Sequence, residues 1–175
     1  MRLLFDMDRQ DHEGCTRTFA RHSARSIIIR DGRLAMVRSG RYGYYKFPGG
    51  GIEPGEDPAT AMQRETREEA GLVVRPETIR PYGYVHRVQR SDYDPSERFV
   101  QDNFYYLCDA EDAPVPQQLD DYEDDENFTP VLVEPTEAIR ANRSAGPTPH
   151  GGLMLEREAR VIELLLAEGI LNARE

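Results

Sequence analysis

At 175 residues, with 38% hydrophobic and 31% charged side chains, the chain fits one soluble globular domain burying roughly two thirds of its unfolded surface. Its formal net charge of −10 argues against a nucleic-acid backbone or an anionic membrane as the main partner, and fits an acidic metal-binding site. Cys15 and Cys108 lie too far apart for a metal-type spacing or a disulfide framework.

In chain order, MRLLFDMDRQ carries acids too early for a signal peptide, and no run approaches the ~20 apolar residues of a membrane span. A cytoplasmic protein is expected. LLFDMD predicts an edge strand, followed by a polar lead-in over residues 9–25. SIIIRDGRLAMVRS predicts a hairpin turning at Asp31-Gly32. RYGYYKFP ends at Pro48, and Gly49, Gly50 and Gly51 then predict a loop. Asp57-Pro58 predicts a helix start and Gly71 its stop. LVVRPETIRPYGYVHRVQR and RFVQDNFYYLCDA predict strands, QQLDDYEDDENFTP an acidic loop and PVLV a further strand. PTEAIRANR predicts a short helix, and leucine spacing predicts a last amphipathic helix over about 152–168. Together these elements predict one domain over 1–175, an α/β sandwich around a mixed sheet.

The stretch GGGIEPGEDPATAMQRETREEAGL is the one that needs explaining. Glu65, Glu68 and Glu69 are related as i, i+3 and i+4, so a helix brings them within an arc of about 100°. That arc adjoins Ala59, Met62, Thr66 and Ala70, the natural buried stripe. Carboxylates gathered beside a core repel or take up protons unless a cation joins them. Hard oxygen donors suit Mg²⁺, or else Mn²⁺, and Mg²⁺ commonly arrives with substrate phosphates. Arg64 stands four residues before Glu68 and can reach back to Glu56, holding carboxylates through a forked contact. The glycines let backbone approach a metal or phosphate closely.

Gly50, Glu56, Arg64, Glu65, Glu68, Glu69, Gly71 and Leu72 resemble the Nudix box over residues 50–72, G-x5-E-x7-R-E-U-x-E-E-x-G-U. Thr66 departs from it, standing where the family prefers an aliphatic. The resemblance implies a Nudix α/β/α sandwich and metal-dependent hydrolysis of a nucleoside diphosphate linked to another moiety. It implies Glu65, Glu68 and Glu69 as metal ligands with the Gly49 carbonyl, and Glu56 and Arg64 as orienting residues. The general base is either a box glutamate or a later acid, Glu126, with Asp124 and Asp125 as rivals. The alternative is a non-catalytic nucleotide-sensing module, which typically loses box carboxylates.

Around the box, Tyr42, Tyr44, Tyr45 and Phe47 either stack a base or pack on the sheet, with Tyr45 and Phe47 as substrate-binding candidates. Asn103 is a candidate to read a base edge. His86 and His150 have no metal-type partners. In this superfamily a proline about 15 residues after the box accompanies ADP-ribose activity, and a tyrosine about 17 residues after it dinucleoside polyphosphates. Arg87 and Gln89 hold those positions, leaving nucleoside triphosphates, normal or oxidised, by elimination. The expected partner is therefore a nucleotide, not a nucleic acid or a membrane, with the chain a monomer or homodimer.

Overall fold

The computed structural model describes residues 1–148 and 151–172, so His150 lies outside the described residues. In chain order the strands are β1 (Leu3–Asp8), β2 (Arg17–Ala20), β3 (Ser23–Ile27), β4 (Ile29–Arg30) and β5 (Arg33–Ser39). There follow β6 (Tyr45–Lys46), β7 (Gly49–Gly51), β8 (Arg80–Arg90), β9 (Glu97–Leu107) and β10 (Phe128–Val133). The helices are α1 (Pro58–Ala70), α2 (Asp121–Asp125), α3 (Pro135–Ser144) and α4 (Gly151–Ala167).

The larger sheet runs β1-β8-β9-β3-β7, with β2 also on β9. It is mixed: β1 with β8, β3 with β9 and β2 with β9 are parallel, whereas β8 with β9 and β3 with β7 are antiparallel. The smaller sheet is antiparallel, β10-β5-β4 with β6 on β5.

Residues of β3 are buried on both faces, because side chains alternate across a strand. Ile27 joins Val85, Tyr105 and the α4 residues Val161, Ile162 and Leu165 in one core cluster. Ala24 joins Ile28, Tyr106 and the α1 residues Ala61 and Met62 in another. Helices thus cover the sheet on both faces, giving the expected α/β/α sandwich with a mixed sheet. The leucine stripe of α4 is spent on this core.

Four details differ from the sequence expectations. The lead-in contains the exposed strand β2, held by parallel pairing to β9. The first arm of the predicted hairpin divides at Ile28: β3 stays in the larger sheet while β4 turns back on β5. Asp31 and Gly32 do make the turn, both with positive φ (52° and 76°). The glycine run forms strand β7 against β3 instead of a loop. The acidic loop winds into α2.

Candidate active site

Helix α1 begins where Asp57 Oδ1 accepts from the amides of Ala59 (2.9 Å) and Thr60 (3.3 Å), with Pro58 at the first helical position. It ends at Gly71, whose φ of 64° suits glycine. Its buried residues are Ala61, Met62, Thr66, Glu69 and Ala70, so one carboxylate lies on the core stripe. The departure at Thr66 has a local answer, for its hydroxyl donates to Ser26 Oγ on β3 at 2.9 Å.

Arg64 is the hub of the exposed side of this helix. Its Nε and Nη2 donate to the two oxygens of Glu56 at 3.0 and 2.9 Å, a forked pair. Nη2 also donates to the Gly51 carbonyl at 3.1 Å, and Nη1 to Glu65 (2.7 Å) and Glu68 (3.3 Å). The Arg64 guanidinium holds the Glu56 carboxyl below its ordinary range. Burial raises Glu65, partly opposed by Arg64.

Glu69 turns the other way. Its Oε1 meets the Lys46 ammonium at 2.5 Å and its Oε2 accepts from the Gly49 amide at 2.9 Å. Both side chains of the ion pair are almost wholly enclosed, at 5% and 1% exposure. Lys46 Nζ also lies 3.9 Å from Glu123 Oε1. The Glu123 carboxyl is pushed up to about 7, chiefly by burial and then by a hydrogen bond with Glu69. Glu65, Glu68, Glu69 and Glu123 line one cleft together with Arg64 and Gly51.

Glu123 is the acid of this cleft that sequence reasoning missed. It reaches the cleft because the loop before α2 is tied along the end of α1. The amide of Gln118 donates to the Glu68 carbonyl at 2.8 Å, and that of Val115 to the Gly71 carbonyl at 2.8 Å. Gln117 Nε2 also donates to the Glu69 carbonyl at 2.5 Å. The capping-box spacing of Asp120 and Glu123 is the one sequence signal that could have pointed to it, with the Asp120 amide donating to Glu123 Oε2 at 3.0 Å.

Glu126, the later acid favoured from sequence, is used elsewhere. Its Oε2 accepts from Ser39 Oγ (3.0 Å) and Tyr44 Oη (2.7 Å), so it braces β5 against α2. Asp124 and Asp125 are exposed. Of the two alternatives for Tyr45 and Phe47, packing is the one that their positions match. Both belong to the core cluster under α4, and Phe47 packs edge-on against Tyr105 at 5.7 Å. Neighbours of opposite parity, Tyr44 and Lys46, line a second cleft instead. Asn103 is fully buried, accepting from Ser23 Oγ (2.7 Å) and Arg157 Nη1 (2.6 Å), two residues that line that cleft. His86 pairs with Asp102 at 2.7 Å. The Gly49 carbonyl accepts from Arg25 Nη1 at 3.1 Å.

The donor set suits a divalent ion: hard carboxylate oxygens on one cleft wall, beside a glycine strand. A Cβ on Gly50 would meet Glu65 Oε2 at 2.2 Å, so the bare backbone makes room for that carboxylate. Arg64 and Lys46 at present supply the neutralising charge. Among the described residues no three acidic or imidazole groups are drawn into a finished metal cluster. A metal bound here would compete with these protein cations for the carboxylates.

The sequence profile of the NUDIX domain matches residues 20–151. The chain belongs to the NUDIX family. Among curated relatives, an RNA pyrophosphohydrolase of Methylococcus capsulatus is 35% identical over 82 residues, 45% of this chain and 39% of that protein. One from Photorhabdus laumondii is 50% identical over 48 residues, 26% of each chain. The chain thus matches well under half the length of these relatives. Among solved structures, a NUDIX hydrolase from Nitrosomonas europaea superposes with a TM-score of 0.56 at 19% identity, covering 82% of this chain and 90% of its own. A MutT structure from work on Aliivibrio salmonicida and Vibrio cholerae gives 0.51 at 20% identity, covering 86% and 99%. These likenesses establish a Nudix fold. Hydrolases of the family generally use divalent metal ions. No helix among the described residues is long and apolar enough to cross a membrane.

Proposed function

We propose that this NUDIX chain is a pyrophosphohydrolase that uses Mg²⁺ or Mn²⁺ to cut the diphosphate bridge of a nucleotide. The observation that carries the reading is the cleft wall of Glu65, Glu68, Glu69 and Glu123. A solvated helix face would have no reason to enclose Glu69 at 1% exposure. The names of the curated relatives, RNA pyrophosphohydrolases, point to the same bond.

Glu65, Glu68 and Glu69 would hold the ions, with the Gly49 carbonyl within reach of the same loop. A bound divalent ion would neutralise the diphosphate and make water a better nucleophile. Arg64 keeps Glu56, Glu65 and Glu68 in register through four hydrogen bonds. Glu123 is the later acid positioned to take a proton from the attacking water, because it faces the cleft and Glu126 does not. A nucleoside triphosphate, normal or oxidised, is the substrate class we assign first.

A phosphate-release screen with Mg²⁺ tests the reading, spanning normal and oxidised triphosphates, nucleotide sugars, ADP-ribose, dinucleotides and 5′-triphosphorylated or capped RNA. Glu68→Gln and Glu69→Gln should each lower turnover of the best substrate by more than about tenfold. Inactivity across the panel, or smaller losses in both variants, would leave a nucleotide-sensing module as the better description.

A further inference from the structure

The second cleft, about 280 Å³, lies on the face of the larger sheet that α4 covers. It shares Arg21 and Gly51 with the carboxylate cleft, yet its chemistry is opposite. Arg21, Arg25, Lys46, Arg87 and Arg157 line it, against the single acid Asp92. In a chain of net charge −10 this is a concentrated reversal of sign.

Lys46 is committed to Glu69, but three guanidinium groups on separate elements are not fully used. Arg25, on β3, is 7% exposed; its Nη1 donates to the carbonyls of Phe47 (3.0 Å) and Gly49 (3.1 Å), and its buried Nε has no partner. Arg157, on α4, is 2% exposed; its Nε donates to Glu158 (2.9 Å) and its Nη1 to Asn103 (2.6 Å). Its Nη2 is ion-paired with the same Glu158 oxygen at 2.8 Å, in a geometry that makes no hydrogen bond. Among the described residues Arg87, on β8, donates only to the neutral Gln89 amide, at 3.1 and 2.6 Å, and lies 5.7 Å from the centre of the Phe99 ring. Among the described residues it forms no ion pair. Burial, and then the charge of Arg157, lower the Arg87 guanidinium to about 10. An unspent buried donor, as on Arg25, and a half-buried guanidinium with no ion pair among the described residues, as on Arg87, are costly unless an anion completes them.

We propose that this cleft binds a second phosphoryl group of the substrate, separate from the diphosphate bridge that is cut. The inference rests on the pyrophosphohydrolase reading and moves its substrate class from plain nucleoside triphosphates to nucleotides bearing a further phosphate on the sugar. The scissile bridge belongs at the carboxylate wall, which accepts it only with metal ions. The arginine cleft needs none, because its own forks match phosphate oxygens. Phe19 and Phe99 also line this cleft and offer apolar surface to the sugar and base.

Titration calorimetry of the metal-free protein in EDTA tests this with adenosine 3′,5′-bisphosphate, adenosine 2′,5′-bisphosphate and adenosine 5′-monophosphate. One bisphosphate should bind at least about tenfold more tightly than the monophosphate, the fold-change of one added charge-assisted contact. Which isomer wins tells a 2′-phosphate from a 3′-phosphate source. Arg87→Gln should abolish the preference at an unchanged melting temperature, and Arg87→Lys should keep part of it. Equal affinity for all three ligands, or an Arg87→Gln variant that still prefers the bisphosphate, would overturn the proposal. So would tighter binding of guanosine than of adenosine 5′-monophosphate with no gain from a second phosphate, since the forks would then be reading a base edge. Because no metal is present, a protein that hydrolyses nucleotides without this preference sinks only the second-phosphate site. A protein that shows the preference and no turnover sinks only the hydrolase reading.

Discussion

Lys46 is the residue whose position says most about the site. An ammonium enclosed beside Glu69, with Glu123 3.9 Å away, occupies the electrostatic place that a divalent ion would take. Enclosing the Glu69 carboxylate without a cation beside it would be costly, so the metal-free fold depends on that contact. Lys46→Met should therefore cost about 3–5 kcal/mol in EDTA, the usual penalty for stranding half of a buried pair. Divalent metal should restore part of it, so the Mg²⁺-induced rise in melting temperature should be larger in the variant than in the unaltered protein. Denaturant melts with and without Mg²⁺ measure both. Equal stability of variant and parent in EDTA would show that Glu69 has another source of charge.

Strand β7 shows how three glycines divide the work of one element. A Cβ on Gly49 would lie 2.2 Å from the Ala24 carbonyl oxygen and 2.6 Å from the Arg25 Cα, at a φ of 141°. Backbone cannot move aside cheaply there, so Gly49→Ala should lower stability by about 1–3 kcal/mol. A Cβ on Gly50 first meets the Glu65 carboxylate, the far end of a flexible side chain. Gly50→Ala should melt close to the parent yet lose more than about tenfold in turnover, because Glu65 is pushed off its position. Thermal melts and steady-state rates of the two variants separate the effects. A fully active Gly50→Ala would mean that β7 does not set where Glu65 sits.

Across the whole molecule, buried neutral acids shape the response to alkali. Burial, then Asp109, pushes the Cys108 thiol from 9.0 up to about 12; burial, then Glu168, pushes the Tyr82 phenol from 10.0 up to about 12. The fold favours the protonated form of each, so their contribution is whole below pH 9 and is lost as the pH rises toward 12. Melting temperature should fall over that window, and a thiol reagent at neutral pH should label Cys15 and spare Cys108 until the protein unfolds. A melting temperature flat between pH 9 and 12 would contradict this. Legibility from sequence followed the range of the forces. The ends of α1 and the i, i+3, i+4 carboxylates could be read because Asp57, Pro58, Gly71 and the glutamates act within one helix. The parity of Tyr44, Tyr45, Lys46 and Phe47 could not, since a lysine in an aromatic strand reads as the outward face until a buried carboxylate claims it. Arg157 lay hidden for the same reason, a charge on the apolar side of α4 whose partners Asn103 and Glu158 include a strand 54 residues away. The lacing of residues 115–118 onto α1 has a mechanical corollary. Gln117 and Gln118 grip the carbonyls of Glu69 and Glu68 themselves, so any tilt of the helix end drags α2 along with it. Lengthening the connection between β9 and α2 would slacken a coupling rod, and acids more than fifty positions apart would cease to travel as one body.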